Sequence, residues 1–320
     1  MNKEIIFFGL LFLTDDFQNL NFQTKKKNLQ TIIYLKCAAN LSRCLNFMGY
    51  KFILLCNNLV ELENLIRKHK IDIKLQEIDF NTYVPKNIHF SSCHYRIDVF
   101  NYFSKKKNQF SILIDLDILV VNKLPNLNEV FSFDCGYINN ISDNYFPAYG
   151  KKFVENKLKL INSPMSKKWI GGDFFAGNDK FYSLLYKFSK KYQNALVQNR
   201  EKLTTMTDEL FLTAAINEID TQKLFDVVEV NDLNLFTRYW SVNTRHKQEG
   251  LYKIINNNSL IHLPSDKKRI SNFYDNNLSI KQSKEAYMKY IKSYRHILYN
   301  LVARFVPNFL KKFIKNTISL

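Results

Sequence analysis

The sequence predicts an α/β protein with a central, mostly parallel β-sheet. Short aliphatic runs, apolar throughout as in strands buried on both faces, alternate with longer segments whose apolar residues recur at helical spacing. That alternation is typical of strands joined by crossover helices. The 320-residue chain has only eight glycines and six prolines and no Ser/Gly-rich linker. It can therefore form one large domain with an appendage, or two small domains.

The first predicted element is the apolar run IIFFGLLFL, residues 5–13. A signal peptide is the alternative, but the run lacks a small-residue cleavage signal and leads directly into Thr14, Asp15 and Asp16. The run is also too short to span a bilayer. We therefore expect a first buried strand.

A β-α-β-α-β order follows from the next segments. The patterns predict a helix over residues 29–48, a strand over 51–56 (KFILLC), a helix over 60–69 and a strand over 71–78. This order is typical of the first half of a nucleotide-binding domain. No glycine-rich loop follows the first strand, which disfavours a dinucleotide-binding fingerprint and a sugar-phosphate nucleotidyltransferase.

The segment SILIDLDILVVN, residues 111–122, places two carboxylates between the aliphatic runs of a predicted strand. Side chains at positions i and i+2 of an extended chain lie on the same side, so Asp115 and Asp117 should converge. Ionised carboxylates removed from water need a compensating cation. Their oxygen atoms suit Mg²⁺ or Mn²⁺, with coordination positions left for phosphate oxygens. The alternative is a strand that ends at Asp115 and turns through capping carboxylates without a ligand.

Two other segments could complete such a site. Tyr95 and Arg96 lie at the start of a predicted helix upstream, His262 follows a short apolar run far downstream, and Lys268 comes six residues later. A neutral imidazole can be a third metal ligand, and an ammonium group can bind a second phosphate. A buried histidine with satisfied hydrogen bonds is the alternative for His262.

This pattern resembles the nucleotide-sugar-binding pattern of glycosyltransferase family 8, a group with the GT-A fold that includes bacterial lipooligosaccharide galactosyltransferases. The resemblance spans roughly residues 90–270. Three departures accompany it: Ser265 stands where the family has Gly, Arg269 with Ile270 stands where it has Pro-Trp, and Asp208 falls where it has Gln. The matching residues are Tyr95, Arg96, Asp115, Asp117, His262 and Lys268.

Two segments between them extend the resemblance. WIGGDFFAGN, residues 169–178, is similar to the F-N-A-G segment of family 8 and to the G-x-F-F-G-G segment of glycosyltransferase family 6, the blood-group transferase type. MTDELFL, residues 206–212, falls where family 8 has D-Q-D and family 6 has H-D-E-S. The resemblance implies that Asp208 or Glu209 lies near the anomeric carbon, although both could simply cap the following helix. It also implies an acceptor pocket, in which Asp173 bonds a sugar hydroxyl, lined by Gly172, Asp173, Ala176 and Gly177.

The resemblance implies transfer of a hexose from a nucleoside-diphosphate sugar, a UDP-sugar by analogy with the family, to a glycan or glycolipid acceptor. It also implies that the anomeric configuration of the sugar is retained. Asp115, Asp117 and His262 would hold Mn²⁺ or Mg²⁺. Two other classes stay open: a sugar-phosphate nucleotidyltransferase, and a noncatalytic basic protein that binds membranes or nucleic acid. The implied donor contacts are Thr14, Asp15, Tyr95, Arg96, Asp115 and Lys268.

The net charge of +17 is concentrated towards the C-terminus. From residue 281 onward nine Lys and Arg residues face a single acid, Glu285, and Tyr287, Tyr290 and Tyr294 recur at helical spacing. We expect a catalytic domain over residues 1–280, with a donor half (1–125) and an acceptor half (126–280), and a membrane-associating tail over 281–320. The alternative is a tail helix packed on the domain.

The expected location is the cytoplasm, peripheral on the inner face of the cell membrane, where the tail would meet anionic lipid. Five cysteines without a C-x-x-C pair predict buried thiols in a reducing compartment, with no disulfide and no zinc site. We see no nucleic-acid recognition motif, so a nucleic-acid partner is not expected.

Overall fold

The computed structural model describes residues 4–14, 27–85, 91–165, 168–202, 207–294, 296–298 and 300. Within these residues the strands and α-helices are β1 (Glu4–Leu11), α1 (Lys27–Phe47), β2 (Lys51–Cys56), α2 (Leu59–His69), β3 (Leu75–Glu77), α3 (Arg96–Phe103), β4 (Gln109–Ile114), β5 (Ile118–Val120), α4 (Leu127–Val130), β6 (Cys135–Asn140), α5 (Ser142–Tyr149), α6 (Lys151–Leu160), β7 (Ile170–Gly177), α7 (Asp179–Gln198), α8 (Asp208–Thr221), β8 (Asp226–Glu229), β9 (Phe236–Arg238), α9 (Leu251–Asn257), β10 (Leu260–His262), α10 (Lys267–Asp275) and α11 (Ile280–Ile291).

A seven-stranded sheet of order β3-β2-β1-β4-β7-β6-β8 forms the centre of the protein. The first four strands in this order are parallel, β7 is antiparallel to both neighbours, and β8 is parallel to β6. Alternate side chains of β1 enter the two cores, Phe7 on one face and Phe8 on the other. The predicted fold class, an α/β domain around a mostly parallel sheet, is confirmed, and the architecture is consistent with the GT-A type.

The early elements agree with their predicted positions, and one strand is shorter than expected. The helix predicted from residue 29 begins at Lys27, and the helix predicted from residue 60 begins at Leu59. The strand predicted over residues 71–78 pairs only over Leu75–Glu77. This strand lies at the sheet edge, where only the residues opposite the end of β2 join the ladder.

The predicted strand over residues 111–122 is divided between two sheets. Beyond β4, Asp115 still donates its N–H to the carbonyl of Asp173 at 3.1 Å, but residues 115–117 then leave the main sheet. The chain resumes as β5 in a three-stranded sheet of order β5-β10-β9. In this second sheet Ile118 pairs with His262, and His262 pairs with Arg238. The break therefore places both aspartates at the junction of the sheets, next to a histidine from late in the chain.

The predicted tail differs from the observed structure at its beginning. Tyr287 of α11 is fully buried in the main core and donates a hydrogen bond to Asp266 at 2.9 Å. Farther on, Asn300 donates to the carbonyl of Ser241 at 3.0 Å. Around Tyr287, the aromatic face that was predicted to meet a membrane therefore packs on the protein itself. The predicted boundary between domain and tail, at residue 280, falls at the start of α11, a helix that contributes to the core. Residues 301–320 lie outside the described residues.

No helix in the described ranges is long and apolar enough to cross a membrane. All five cysteines are free: Cys37, Cys44 and Cys56 are buried, and Cys93 and Cys135 are partly exposed.

Candidate functional site

A cleft of about 350 Å³ opens at the junction of the two sheets. It lies at the carboxyl ends of β1 and β4, where open α/β sheets bind their ligands. The two aspartates, His262 and Arg96 line this cleft together with residues from β1, α8, β9 and α10. The segments that carry Arg96, the two aspartates and His262 therefore meet in one place.

Asp115, Asp117 and His262 form a cluster suited to a metal ion. One ligand atom from each lies within 4.8 Å of the others. His262 Nε2 is 3.5 Å from Asp115 Oδ2 and 3.3 Å from Asp117 Oδ1. Burial alone would lower the pKa of His262, but the carboxylates of Asp117 and Asp173 outweigh it and raise the pKa to about 9. Two carboxylate oxygens and one imidazole nitrogen are a donor set for Mg²⁺ or Mn²⁺.

Asp173 orients His262 rather than facing the open cleft. Its Oδ2 lies 2.7 Å from His262 Nδ1 and also accepts from Arg238 Nε at 2.6 Å, while Oδ1 accepts from Asn139 at 2.8 Å. The side chain is 0% exposed, so the predicted hydrogen bond to a sugar hydroxyl is wrong. Burial raises the pKa of Asp173, but Arg238 and His262 reverse this and lower it well below its usual range. Because Nδ1 is engaged, Nε2 is left to face the two aspartates.

Arg96 joins the metal cluster to the start of α8. Its guanidinium contacts both Asp115 and Asp208, and all three lie at the cleft. Asp208 is the first residue of α8, and its side chain binds Arg96, which does not fit the alternative of a simple helix cap. Burial raises the pKa of Asp208 to about 6, against the opposing effect of Arg96. A buried carboxyl with a pKa this close to neutrality can exchange a proton near physiological pH.

Glu209 is held by two partners at the edge of the cleft. Its Oε1 accepts from Arg238 at 2.8 Å and its Oε2 accepts from the indole nitrogen of Trp169 at 3.1 Å. Both carboxylates predicted from the MTDELFL segment therefore line the cleft, each paired with a different arginine.

The lysine of the cleft is Lys267, one residue before the predicted Lys268. Lys267 is buried, lines the cleft and donates to Asp117. Burial lowers the pKa of Lys267, but Asp117 outweighs this and raises it above the usual range. Lys268 is exposed. The first turn of α10 directs only one of the two adjacent lysines inward, because consecutive helical side chains point in different directions.

The predicted acceptor residues of β7 do not all reach the cleft. Gly172 lines it, and a Cβ at this position would lie 2.4 Å from Asp208 Oδ2. Ala176 and Gly177 are buried farther along the strand, opposite Ile112 and Ser111 of β4. Their assignment to the acceptor pocket is wrong because β7 runs antiparallel to β4, which carries its end away from Asp115.

Of the predicted nucleotide contacts near the N-terminus, Thr14 lies at the cleft. Thr14 and Phe12 line it, and the ring of Phe12 stacks on Tyr95 at 3.8 Å with an interplanar angle of 14°. Phe80 meets both rings edge-on. Asp15 lies outside the described residues. The structure therefore adds Phe12 and Phe80 to Tyr95 as an aromatic group beside the cleft.

Sequence reasoning missed Arg238 and Trp240, both of which line the cleft. Arg238 pairs with Asp173 and Glu209, and its guanidinium lies 5.6 Å from the ring centre of Trp240. No recognised motif marks the segment FTRYW, so nothing in the sequence alone singles these two residues out. Lys267 was missed by one position.

Comparisons with known proteins leave the function to be argued from this site. No protein-family model matches the chain, and no curated protein matches it. One solved structure that matches is the apo form of mouse xyloside xylosyltransferase 1, with 12% sequence identity, coverage of 81% of this chain and 97% of that chain, and a TM-score of 0.44.

Proposed function

We propose that this protein is a metal-dependent glycosyltransferase that moves a hexose from a UDP-sugar to a glycan or glycolipid acceptor. The observation that carries the proposal is the convergence of Asp115, Asp117 and His262 with Arg96 and Lys267 in one cleft. The resemblance of these motifs to glycosyltransferase family 8 supports the same activity and, by analogy, retention of the anomeric configuration.

The charge balance of the cleft supports a bound divalent cation. Four carboxylates line it, those of Asp115, Asp117, Asp208 and Glu209, and Asp173 lies buried behind His262. The cations beside them, Arg96, Arg238 and Lys267, are already paired with these carboxylates. A diphosphate entering this cleft would meet uncompensated negative charge. A divalent ion on the two aspartates and His262 would supply the missing positive charge and stabilise the leaving diphosphate.

The protein's own residues can take separate parts in binding. Arg96 and Lys267 already bind the carboxylates of the site, and each can turn its charge towards a phosphate oxygen once the metal is present. The rings of Phe12 and Tyr95 offer an apolar wall for the nucleobase. Gly172 leaves room beside Asp208, because any larger residue would displace that carboxylate.

Asp208 and Glu209 are the proposed catalytic residues. Both lie at the N-terminus of α8, where the helix dipole favours carboxylates. The raised pKa of Asp208 suits proton exchange with an acceptor hydroxyl, whereas Glu209, held by Arg238 and Trp169, suits stabilisation of positive charge at the sugar.

The deciding experiment incubates the protein with Mn²⁺ and a panel of nucleotide sugars and measures release of nucleoside diphosphate. We expect UDP release from one UDP-hexose, abolished by EDTA and by Asp117→Asn. Pyrophosphate release from UTP and a hexose 1-phosphate, assayed in parallel, would instead indicate a nucleotidyltransferase. Unchanged UDP affinity in EDTA would reject the metal assignment. Lys268→Ala is the matched surface control because that side chain is exposed.

Residues beyond α11 remain the proposed contact with an anionic membrane at the cytoplasmic face. Tyr294 and Ile297 are 77% and 48% exposed, and residues 301–320 add four Lys and Arg without an acid. We expect a chain ending at Asn300 to stay folded but to lose salt-sensitive binding to phosphatidylglycerol vesicles. Vesicle binding that survives this truncation would reject the anchor.

A further inference from the structure

A string of aromatic side chains leads from the cleft to the protein surface. Trp240 lines the cleft, and its ring stacks on His246 at 4.2 Å with an interplanar angle of 4°. His246 meets Tyr149 edge-on at 5.6 Å, and Tyr149 lies 6.2 Å from Phe153 with an interplanar angle of 20°. We call these four residues, together with Tyr145, the aromatic track.

The track is attached to the catalytic end of the cleft by a second contact. Tyr145 stacks on the buried Trp169 at 4.6 Å with an interplanar angle of 14°, and the indole of Trp169 donates to Glu209. Tyr145 also lies 4.4 Å from Tyr149. The rings therefore run continuously from a proposed catalytic carboxylate outwards.

The outer end of the track is open to solvent. Tyr149 is 43% exposed and Phe153 is 39% exposed. Apolar rings left in water beside a cleft indicate a surface that a ligand covers. The face of an aromatic ring suits the C–H face of a pyranose, while the hydroxyl and imidazole groups at the ring edges can bond sugar hydroxyls.

We propose that the aromatic track is an extended acceptor subsite that binds the sugar units of an oligosaccharide behind the one that reacts. The inference rests on the proposed function and specifies its acceptor as an oligosaccharide chain rather than a single sugar. Continuity with the cleft selects this occupant, because the inner end of the track is Trp240, which lines the cleft, so a chain bound along the track leads into it. The polar groups among the rings, from Tyr145, Tyr149 and His246, suit a glycan better than lipid chains.

The test measures binding of tetrasaccharides and their monosaccharides in the presence of UDP and Mn²⁺, using calorimetry and saturation-transfer NMR. The probes are maltotetraose, cellotetraose, chitotetraose and lacto-N-neotetraose. We expect at least one tetrasaccharide to bind more tightly than its monosaccharide, and Tyr149→Ala and Phe153→Ala each to weaken it by about tenfold. Monosaccharide and UDP binding should not change. Phe47→Ala, 75% exposed at the end of α1, is the matched control and should bind within twofold of the unaltered protein.

Two results would overturn the subsite. One is a failure of chain recognition: none of the four tetrasaccharides binds more tightly than its monosaccharide, or Tyr149→Ala and Phe153→Ala both bind the tetrasaccharides as tightly as the unaltered protein does. The other is that the variants lose phosphatidylglycerol vesicle binding instead, which would make the track a lipid contact. Rejection of the subsite can be told apart from rejection of the proposed function by measuring whether the unaltered protein binds UDP in a metal-dependent way. If UDP binds and the track variants behave normally, only the subsite is rejected.

Discussion

Metal binding should compete with a proton at His262. The imidazole lies between Asp117 and Asp173, and these carboxylates raise the pKa of His262 to about 9 against the effect of burial. A metal ligand must be the neutral imidazole, so a metal ion has to displace this proton. The affinity for Mn²⁺ should then rise about tenfold per pH unit below that pKa, or about 30-fold between pH 6.5 and pH 8.

The raised pKa of His262 also predicts how the free energy of unfolding in EDTA depends on pH. The folded protein holds the proton more tightly than the unfolded chain, whose histidines have a pKa near 6.5. The stabilisation from protonated His262 is complete below that value and is lost as pH rises towards 9. Between pH 6.5 and pH 8 the free energy of unfolding in EDTA should fall by about 1.5 kcal/mol from this group.

The pH range is chosen to separate His262 from other groups. Burial raises the pKa of Cys44 and of Cys56 to about 11, so ionisation of these thiols in the unfolded chain would lower stability above pH 8. Asp208 completes most of its own titration below pH 6.5, given its pKa of about 6. A His262→Gln variant measured in parallel removes the remaining common contributions.

Calorimetry with Mn²⁺ in two buffers of different ionisation enthalpy would count the protons released, and urea unfolding in EDTA would give the stability curve. We expect about one proton released per ion at pH 7, and a loss of stability that His262→Gln lacks. An Mn²⁺ affinity that changes less than threefold between pH 6.5 and pH 8 would refute the reasoning.

Three further predictions use neighbouring residues. Asp173→Asn should weaken Mn²⁺ binding by 10- to 100-fold in calorimetry because His262 loses its orienting partner, and unchanged affinity would show that the contact is incidental. Gly172→Ala should destabilise the protein by about 1–3 kcal/mol in urea unfolding and impair UDP binding, since its Cβ would meet Asp208, whereas Gly250→Ala, with open space around it, should be neutral. Lys267→Ala should weaken UDP binding at least tenfold by calorimetry, and an equal loss in Lys268→Ala would contradict the assignment of the cleft lysine.

The local pattern of apolar residues was enough to predict the main strands and helices and part of the site. Buried strands such as β2 and amphipathic helices such as α2 have periodicities that depend on neighbouring residues alone. Asp115 and Asp117 stood out because carboxylates next to aliphatic runs conflict with burial. These signals lie within a short stretch of sequence, which is why they could be identified there.

The features that the sequence did not predict depend on tertiary packing, that is, on which surface each side chain contacts in the folded protein. An amphipathic helix with aromatic and basic residues looks the same whether its apolar face meets a membrane or a core, and Tyr287 meets the core. Asp173 could have faced a sugar, but β9 and β10 bring Arg238 and His262 to it. Lys268 was predicted from its spacing of six residues after His262, whereas the packing of α10 buries Lys267 and leaves Lys268 exposed.

Asp173 connects the two chemical parts of the cleft. On one side it fixes His262, and on the other it binds Arg238, which also holds Glu209. Arg238 pairs with two carboxylates at once, so neutralising either one changes the charge that the other experiences. The imidazole of the metal cluster and a proposed catalytic carboxylate are therefore electrostatically linked through the guanidinium of Arg238, and substitutions at the two ends should have non-additive effects on stability. That linkage exists only because the second sheet places Arg238 beside His262, which makes the short strands β9 and β10 as important to the site as the D-x-D segment itself.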